Sequence, residues 1–138
     1  MAANMTLFLD ACSIIYLLES HQQQGQKTRL LITQALPSKT QLMVSRLSFL
    51  ECRVFPLKEN NTDLLESYKR FFCLPNVKII ELTADVMDIA TDLRVKYPSS
   101  LRTPDALQLA CALSANANQF LTGDKKLSVI QEINVVIV

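Results

Sequence analysis

The sequence predicts an α/β domain built on a mainly parallel sheet of four or five strands. Three observations carry this. Short apolar runs, MTLFL (Met5–Leu9), QLMV (Gln41–Val44), VKIIEL (Val77–Leu82), QFL (Gln119–Leu121) and INVVIV (Ile133–Val138), alternate with helical patterns, as in chains of strand–helix–strand units. The first of these is apolar throughout rather than at every second residue, the mark of a strand covered on both faces. Of 138 residues 49% are apolar and 20% charged, which suits a core burying roughly two-thirds of the unfolded surface. No repeat, linker or low-complexity segment interrupts the chain, so residues 1–138 are expected to form a single domain.

The first strand ends abruptly at Asp10, and Cys12–Glu19 continues as a helix with Ile14, Ile15, Leu17 and Leu18 apolar. His21–Lys27 reads as a polar loop or early helical turn, and its histidine, the only one in the chain, is assigned no catalytic role. Thr28–Leu36 is helical up to Pro37, which stops it. After the second strand, Arg46–Phe55 is a helix ended by Pro56. Within it Glu51 shares a face with Leu47, Val54 and Phe55, so this carboxylate points with the apolar residues. An unpaired buried carboxylate costs several kcal/mol and needs a partner, a proton or a metal. Lys58–Phe72 is a longer amphipathic helix closed by Pro75. Thr83 caps the next helix, up to Tyr97, whose Asp85, Asp88 and Asp92 form a solvated face with Asp92 supporting Lys96. Thr103 is the expected cap of an apolar helix over Ala106–Ala115, with Pro104 at its start. Asp105 falls in its first turn, and Asp124 opens the short segment Lys125–Val129.

Taken singly, Asp10, Asp105 and Asp124 read as caps as readily as ligands. Together they share a location. Asp10 and Asp124 follow strands, Asp105 begins the helix that feeds a strand, and Glu51 lies under two helical turns beyond another. In a parallel sheet all four reach the edge formed by the strands' carboxyl ends, where such sheets place ligands. Four carboxylates repel one another unless cations neutralise them, and an all-oxygen set selects hard ions such as Mg²⁺ or Mn²⁺. Such ions activate water and stabilise phosphoryl displacement. Arg46, Arg53, Arg102, Lys125 and Lys126 lie close in sequence to the acids and are candidates for phosphate contacts, or solvated helix charges.

The totals narrow the class. A net charge of +1 does not mark a strongly basic nucleic-acid binder. The cysteines, Cys12, Cys52, Cys73 and Cys111, lack zinc-site or redox spacing and read as small buried hydrophobes. No signal-like segment precedes Asp10, and no apolar run approaches the ~18 residues of a membrane span. A cytoplasmic protein without membrane attachment is the expectation.

The chain also resembles the PIN-domain ribonucleases, in particular the VapC-type toxins of bacterial toxin–antitoxin pairs. The resemblance spans nearly the whole sequence and rests on four segments in order: FLDACSIIYL around Asp10, VSRLSFLEC around Glu51, RTPDALQLACAL around Asp105 and FLTGDKKL around Asp124. It implies a three-layer α/β/α sandwich and a metal-dependent endoribonuclease using Mg²⁺ or Mn²⁺. Asp10, Glu51, Asp105 and Asp124 would be its metal-binding acids and Thr122 a supporting hydroxyl. The products would be a 5′-phosphate and a 3′-hydroxyl, and the partners a second copy in a homodimer and a cognate antitoxin. Where the family often has Asn or Ser two residues after the first acid, this chain has Cys12, and Ser13 is the candidate substitute. The alternative reading is a non-catalytic binding module acting through a protein partner, whose signature would be a missing acid. A receiver domain wants an acceptor Asp at a mid-chain strand end, and a DxD phosphatase wants a second Asp where Cys12 stands.

Overall fold

The computed structural model describes residues 5–19, 23–35 and 41–138. In chain order the elements are β1 (Thr6–Leu9), α1 (Ala11–Glu19), α2 (Gln23–Ala35), β2 (Gln41–Ser45), α3 (Leu47–Lys58), α4 (Thr62–Phe72), β3 (Val77–Ile80), α5 (Ala84–Lys96), α6 (Thr103–Ser114), β4 (Gln119–Thr122), a short 3₁₀ helix (Lys125–Val129) and β5 (Asn134–Ile137). The strands form one sheet in the order β3-β2-β1-β4-β5, and every neighbouring pair is parallel. From β1 the chain winds outward to β2 and β3, then returns to place β4 on the other side of β1. The switch point therefore lies between β1 and β4, where a parallel sheet opens a crevice at its carboxyl edge.

Alternation along β1 sends successive side chains to opposite faces. Phe8 enters one core with Met43, Phe120 and residues of α5 and α6, among them Val86, Leu93 and Leu109. Leu7 and Leu9 enter the other with Leu42, Val44, Leu121 and residues of α1 to α4, among them Ile14, Ile32, Cys52 and Phe71. The result is the expected α/β/α sandwich. Phe8 and Phe120, paired across β1 and β4, stack with ring centroids 5.4 Å apart and planes 8° apart.

Local chemistry accounts for most element boundaries. The Thr83 side chain accepts from Val86 N and starts α5 as expected. Several expectations need correction. The stretch read as a polar loop or early helical turn is helical from Gln23 onward, as the start of α2, while His21 and the stop at Pro37 lie outside the described residues. Pro56 does not end α3. It sits buried within the last turn, and bonds from Glu59 N to Phe55 O (3.0 Å), Asn60 N to Leu57 O (3.2 Å) and Asn61 N to Pro56 O (2.8 Å) carry the chain past it. The break comes at Asn60, whose φ of 55° is a conformation asparagine tolerates. Asn61 then caps α4 by accepting from Leu64 N, so the long helix predicted from Lys58 is two elements. Lys96 pairs with Glu132 at 3.2 Å rather than with Asp92. Of the cysteines, Cys52 and Cys111 are buried, Cys12 is half-buried and Cys73 is exposed, contrary to a uniformly buried set.

Candidate functional site

The β1/β4 switch point holds a cavity of 190 Å³ lined by Asp10, Glu51, Asp105 and Asp124, with Cys12 and Gln108 between them. Among the described residues, no lysine or arginine lines it. Each acid is also held by an N–H donor, so capping and cavity-lining are the same placement. Asp10 Oδ1 accepts from Ser13 N at 2.9 Å at the start of α1. Asp105 Oδ2 accepts from Arg102 N at 3.1 Å, which makes Arg102, not Thr103, the cap residue of α6 and puts Pro104 one step inside it. Asp124 Oδ1 accepts from Lys126 N at 3.0 Å, and Glu51 Oε1 accepts from Gln108 Nε2 at 2.9 Å. One oxygen of each carboxylate is thereby fixed. Among the described residues, Glu51 Oε2, Asp105 Oδ1 and Asp124 Oδ2 take no hydrogen bond.

Glu51 reaches this cavity for a different reason from the one its sequence neighbours suggest. Val54 and Phe55 are 57% and 61% exposed. The buried line of α3 is Ser48, Cys52 and Pro56, and Glu51 lies half-buried at its edge, toward α6. Its partner is an amide, not the arginine a buried ion pair would need.

Asp10 is the most desolvated of the acids. Burial pushes its carboxyl up from 3.8 to about 6, against the Thr122 hydroxyl and the Ser13 amide, which favour the anion, and the nearby Asp105 charge adds to the rise. Thr122 is fully buried, and its Oγ1 also accepts from Asp124 N at 3.1 Å. One hydroxyl thus joins the first and last acids. Ser13 is fully buried too, but its hydroxyl donates to Leu121 O at 2.7 Å. It latches α1 to β4 and leaves the cavity position to Cys12. Ser13→Ala should cost about 1 kcal/mol, read as a shift in the urea midpoint.

Burial raises the Cys12 thiol, and its hydrogen bond with Tyr16 pushes the tyrosine hydroxyl up to about 12. Both are neutral at pH 7, so the cavity's donor set stays one of oxygens. A Cβ on Gly123 would stand 2.6 Å from Tyr16 Cε2, which makes the glycine a condition of the tyrosine's place beside Cys12. Tyr16, Gly123 and Gln108 were not singled out by sequence reasoning. The available signal was Gln108 three residues after Asp105, and so on its face of an otherwise apolar helix.

The basic candidates separate. Arg46 is engaged elsewhere, donating to both oxygens of Glu81 at 2.9 and 2.6 Å with its guanidinium 4.4 Å from the Phe49 ring centroid. Arg53 donates to Phe49 O at 2.7 Å, and both arginines line a second groove, of 580 Å³, between α3 and α4. Arg102, Lys125 and Lys126 are exposed, adjoin Asp105 and Asp124 in the chain, and enter no ion pair among the described residues.

No three His, Cys, Asp or Glu side chains among the described residues already stand in a metal-holding arrangement. The donor chemistry nevertheless fits a hard divalent ion: four carboxylates, unspent oxygens on three of them, and a first acid driven toward its neutral form by burial in the absence of a cation.

A parallel sheet with an acid-lined crevice at its switch point defines an α/β domain whose ligand place is the carboxyl edge of the sheet. The chain belongs to the PIN domain family, which it matches over residues 7–133. No curated protein matches the sequence. Solved structures share the fold. VapBC-1 from nontypeable Haemophilus influenzae is 17% identical with a TM-score of 0.75, the match covering 96% of this chain and 98% of the other. VapBC2 from Rickettsia felis, solved bound to a promoter DNA fragment, is 18% identical with a TM-score of 0.72, covering 97% and 99%. Mycobacterium tuberculosis VapC20, described as a sarcin-ricin loop cleaving toxin, is 15% identical with a TM-score of 0.71, covering 93% and 98%.

Proposed function

We propose that this protein is a metal-dependent endoribonuclease, the toxin of a toxin–antitoxin pair, acting through the cavity of Asp10, Glu51, Asp105 and Asp124. The observation that carries the reading is that four acids from four separate segments line one cavity with no cationic side chain among the described residues that line it. Family membership and the VapBC structures of the same fold support it.

Asp10, Asp105 and Asp124 would hold Mg²⁺ or Mn²⁺, with Glu51 as a further ligand or as acceptor of a proton from the attacking water. When bound, the cation supplies charge neutralisation and activation of water. The chain's own groups do the positioning. Ser13 N, Arg102 N, Lys126 N and Gln108 Nε2 fix one oxygen of each carboxylate and leave the others for the substrate side. Thr122 keeps Asp10 and Asp124 in a constant relation. The exposed Arg102, Lys125 and Lys126 would meet the phosphates of the RNA on either side. In the hydrolysis a water oxygen bonds to phosphorus, the bond to the 3′-oxygen breaks, and a proton passes to that oxygen. A 5′-phosphate and a 3′-hydroxyl result.

The exposed apolar row Leu50, Val54 and Leu57 on α3 supports a protein partner, an antitoxin or a second copy in a homodimer. None of the described helices is long and apolar enough to cross a membrane, and we assign the protein to the cytoplasm. The test is cleavage of total RNA with Mg²⁺ or Mn²⁺. Discrete products that vanish with EDTA and with Asp10→Asn are expected. Products that persist in either control would overturn the metal-site assignment.

A further inference from the structure

Gln108 is a polar side chain of the cavity whose presence neither capping nor charge explains. It lies on α6 one turn after Asp105 and is 3% exposed. Its Nε2 donates to Glu51 Oε1 at 2.9 Å and to Ser48 Oγ at 3.0 Å. Both amide protons are thereby used. Its Oε1 is buried with no hydrogen-bond partner. The opposite amide orientation would set an oxygen against the Glu51 carboxylate, so the nitrogen belongs where it is. A buried unpaired carbonyl is destabilising, since it has lost its water without gaining a donor. An apolar side chain of similar volume, such as methionine, would fill the position without that cost. What glutamine adds is a neutral donor on Glu51. A lysine or arginine there would add a positive charge to the cavity, whereas an amide fixes the carboxylate and leaves the cavity's negative charge intact.

We propose that Gln108 is a positioning residue of the acid site: its amide nitrogen holds the Glu51 carboxylate at the cavity. The proposal rests on the metal-site reading and acts through Glu51, so its effect disappears when Glu51 is gone. That separates it from a packing role, which would be felt whatever stands at position 51.

The experiment is Mn²⁺ binding, followed by electron paramagnetic resonance of the free ion, in a double-mutant cycle of Gln108→Met and Glu51→Ala. Gln108→Met should weaken Mn²⁺ binding roughly tenfold, as loss of groups that orient metal ligands commonly does. In the Glu51→Ala background the same change should alter binding less than about twofold. Thermal melts check folding, and if Gln108→Met does not fold, Gln108→Asn, which keeps the amide but is one methylene too short to reach Glu51, takes its place. Unchanged binding, or an equal loss in both backgrounds, overturns the proposal while the metal site stands. Absence of Mn²⁺ binding by the unaltered protein, or full binding by Asp10→Asn, overturns the metal-site reading and this proposal with it.

Discussion

Replacing Asp10 by Asn should make the metal-free protein melt several degrees higher above neutral pH and, on the proposed function, lower RNA cleavage by roughly a hundredfold or more, the loss expected when a ligand of the ion that stabilises developing charge is removed. Both effects have one cause. The Asp10 carboxyl is raised by burial from 3.8 to about 6. Between those values the folded chain holds a proton that the unfolded chain has released, so stability falls as pH rises through this window and is level above it. The full cost of ionising Asp10 is at most roughly 3 kcal/mol, the equivalent of the rise from 3.8 to about 6. Asparagine removes that cost and keeps the cap, since its side-chain oxygen accepts from Ser13 N as the carboxylate does. Its amide can donate to the Thr122 hydroxyl. Melting curves of both proteins without metal, from pH 4 to 8, should therefore diverge as pH rises. A gap that stays constant with pH would mean Asp10 does not carry the desolvated charge. Added Mn²⁺ should narrow the gap from the other side, stabilising the unaltered protein and leaving the variant unmoved.

Phe120→Ala should cost about 3–5 kcal/mol, a large share of the 5–15 kcal/mol that holds a domain of this kind together. Phe120 has no exposed surface and stacks on Phe8 across the central pair of strands. Its removal opens a cavity that a sheet bonded on both sides cannot collapse to fill. The urea midpoint reads the loss. Val95→Ala serves as the reference, since Val95 is 77% exposed on α5 and should change stability by about 0.5 kcal/mol or less. If the two variants unfold alike, the stack does not have the importance assigned to it. Because Thr122 and Asp124 follow Phe120 within four residues, this loss also loosens the acid cavity.

What could be read from the sequence was what local rules decide. Thr83 and Asp124 cap where they were expected to, because capping involves groups two or three residues apart. The five apolar runs became strands because a sheet covered on both faces leaves no other role for them. The gathering of Asp10, Glu51, Asp105 and Asp124 followed from parallel topology alone. What escaped depends on neighbours remote in the chain. Glu51 was placed beside Val54 and Phe55 by helical periodicity, yet those residues face outward because α4 and the sheet take the other side of α3. Gln108 has meaning only against Glu51 and Ser48, about 60 positions away. Arg46 was grouped with the acids by proximity in sequence, and it took Glu81 from a different strand end.

The place of β4 beside β1 has a consequence for the order in which the molecule comes into being. β1 is made first, yet one of its two sheet neighbours is a strand more than a hundred residues later. A chain emerging from the ribosome can pair β1 with β2 and β2 with β3 while the other flank of β1 stays open. Asp10, Glu51 and Asp105 then exist without the wall that β4, Thr122 and Asp124 complete. Long-range parallel pairing of this kind is slow, since loop closure precedes its reward. The acid cavity is thus among the last features to form during synthesis, and an unfinished chain lacks it.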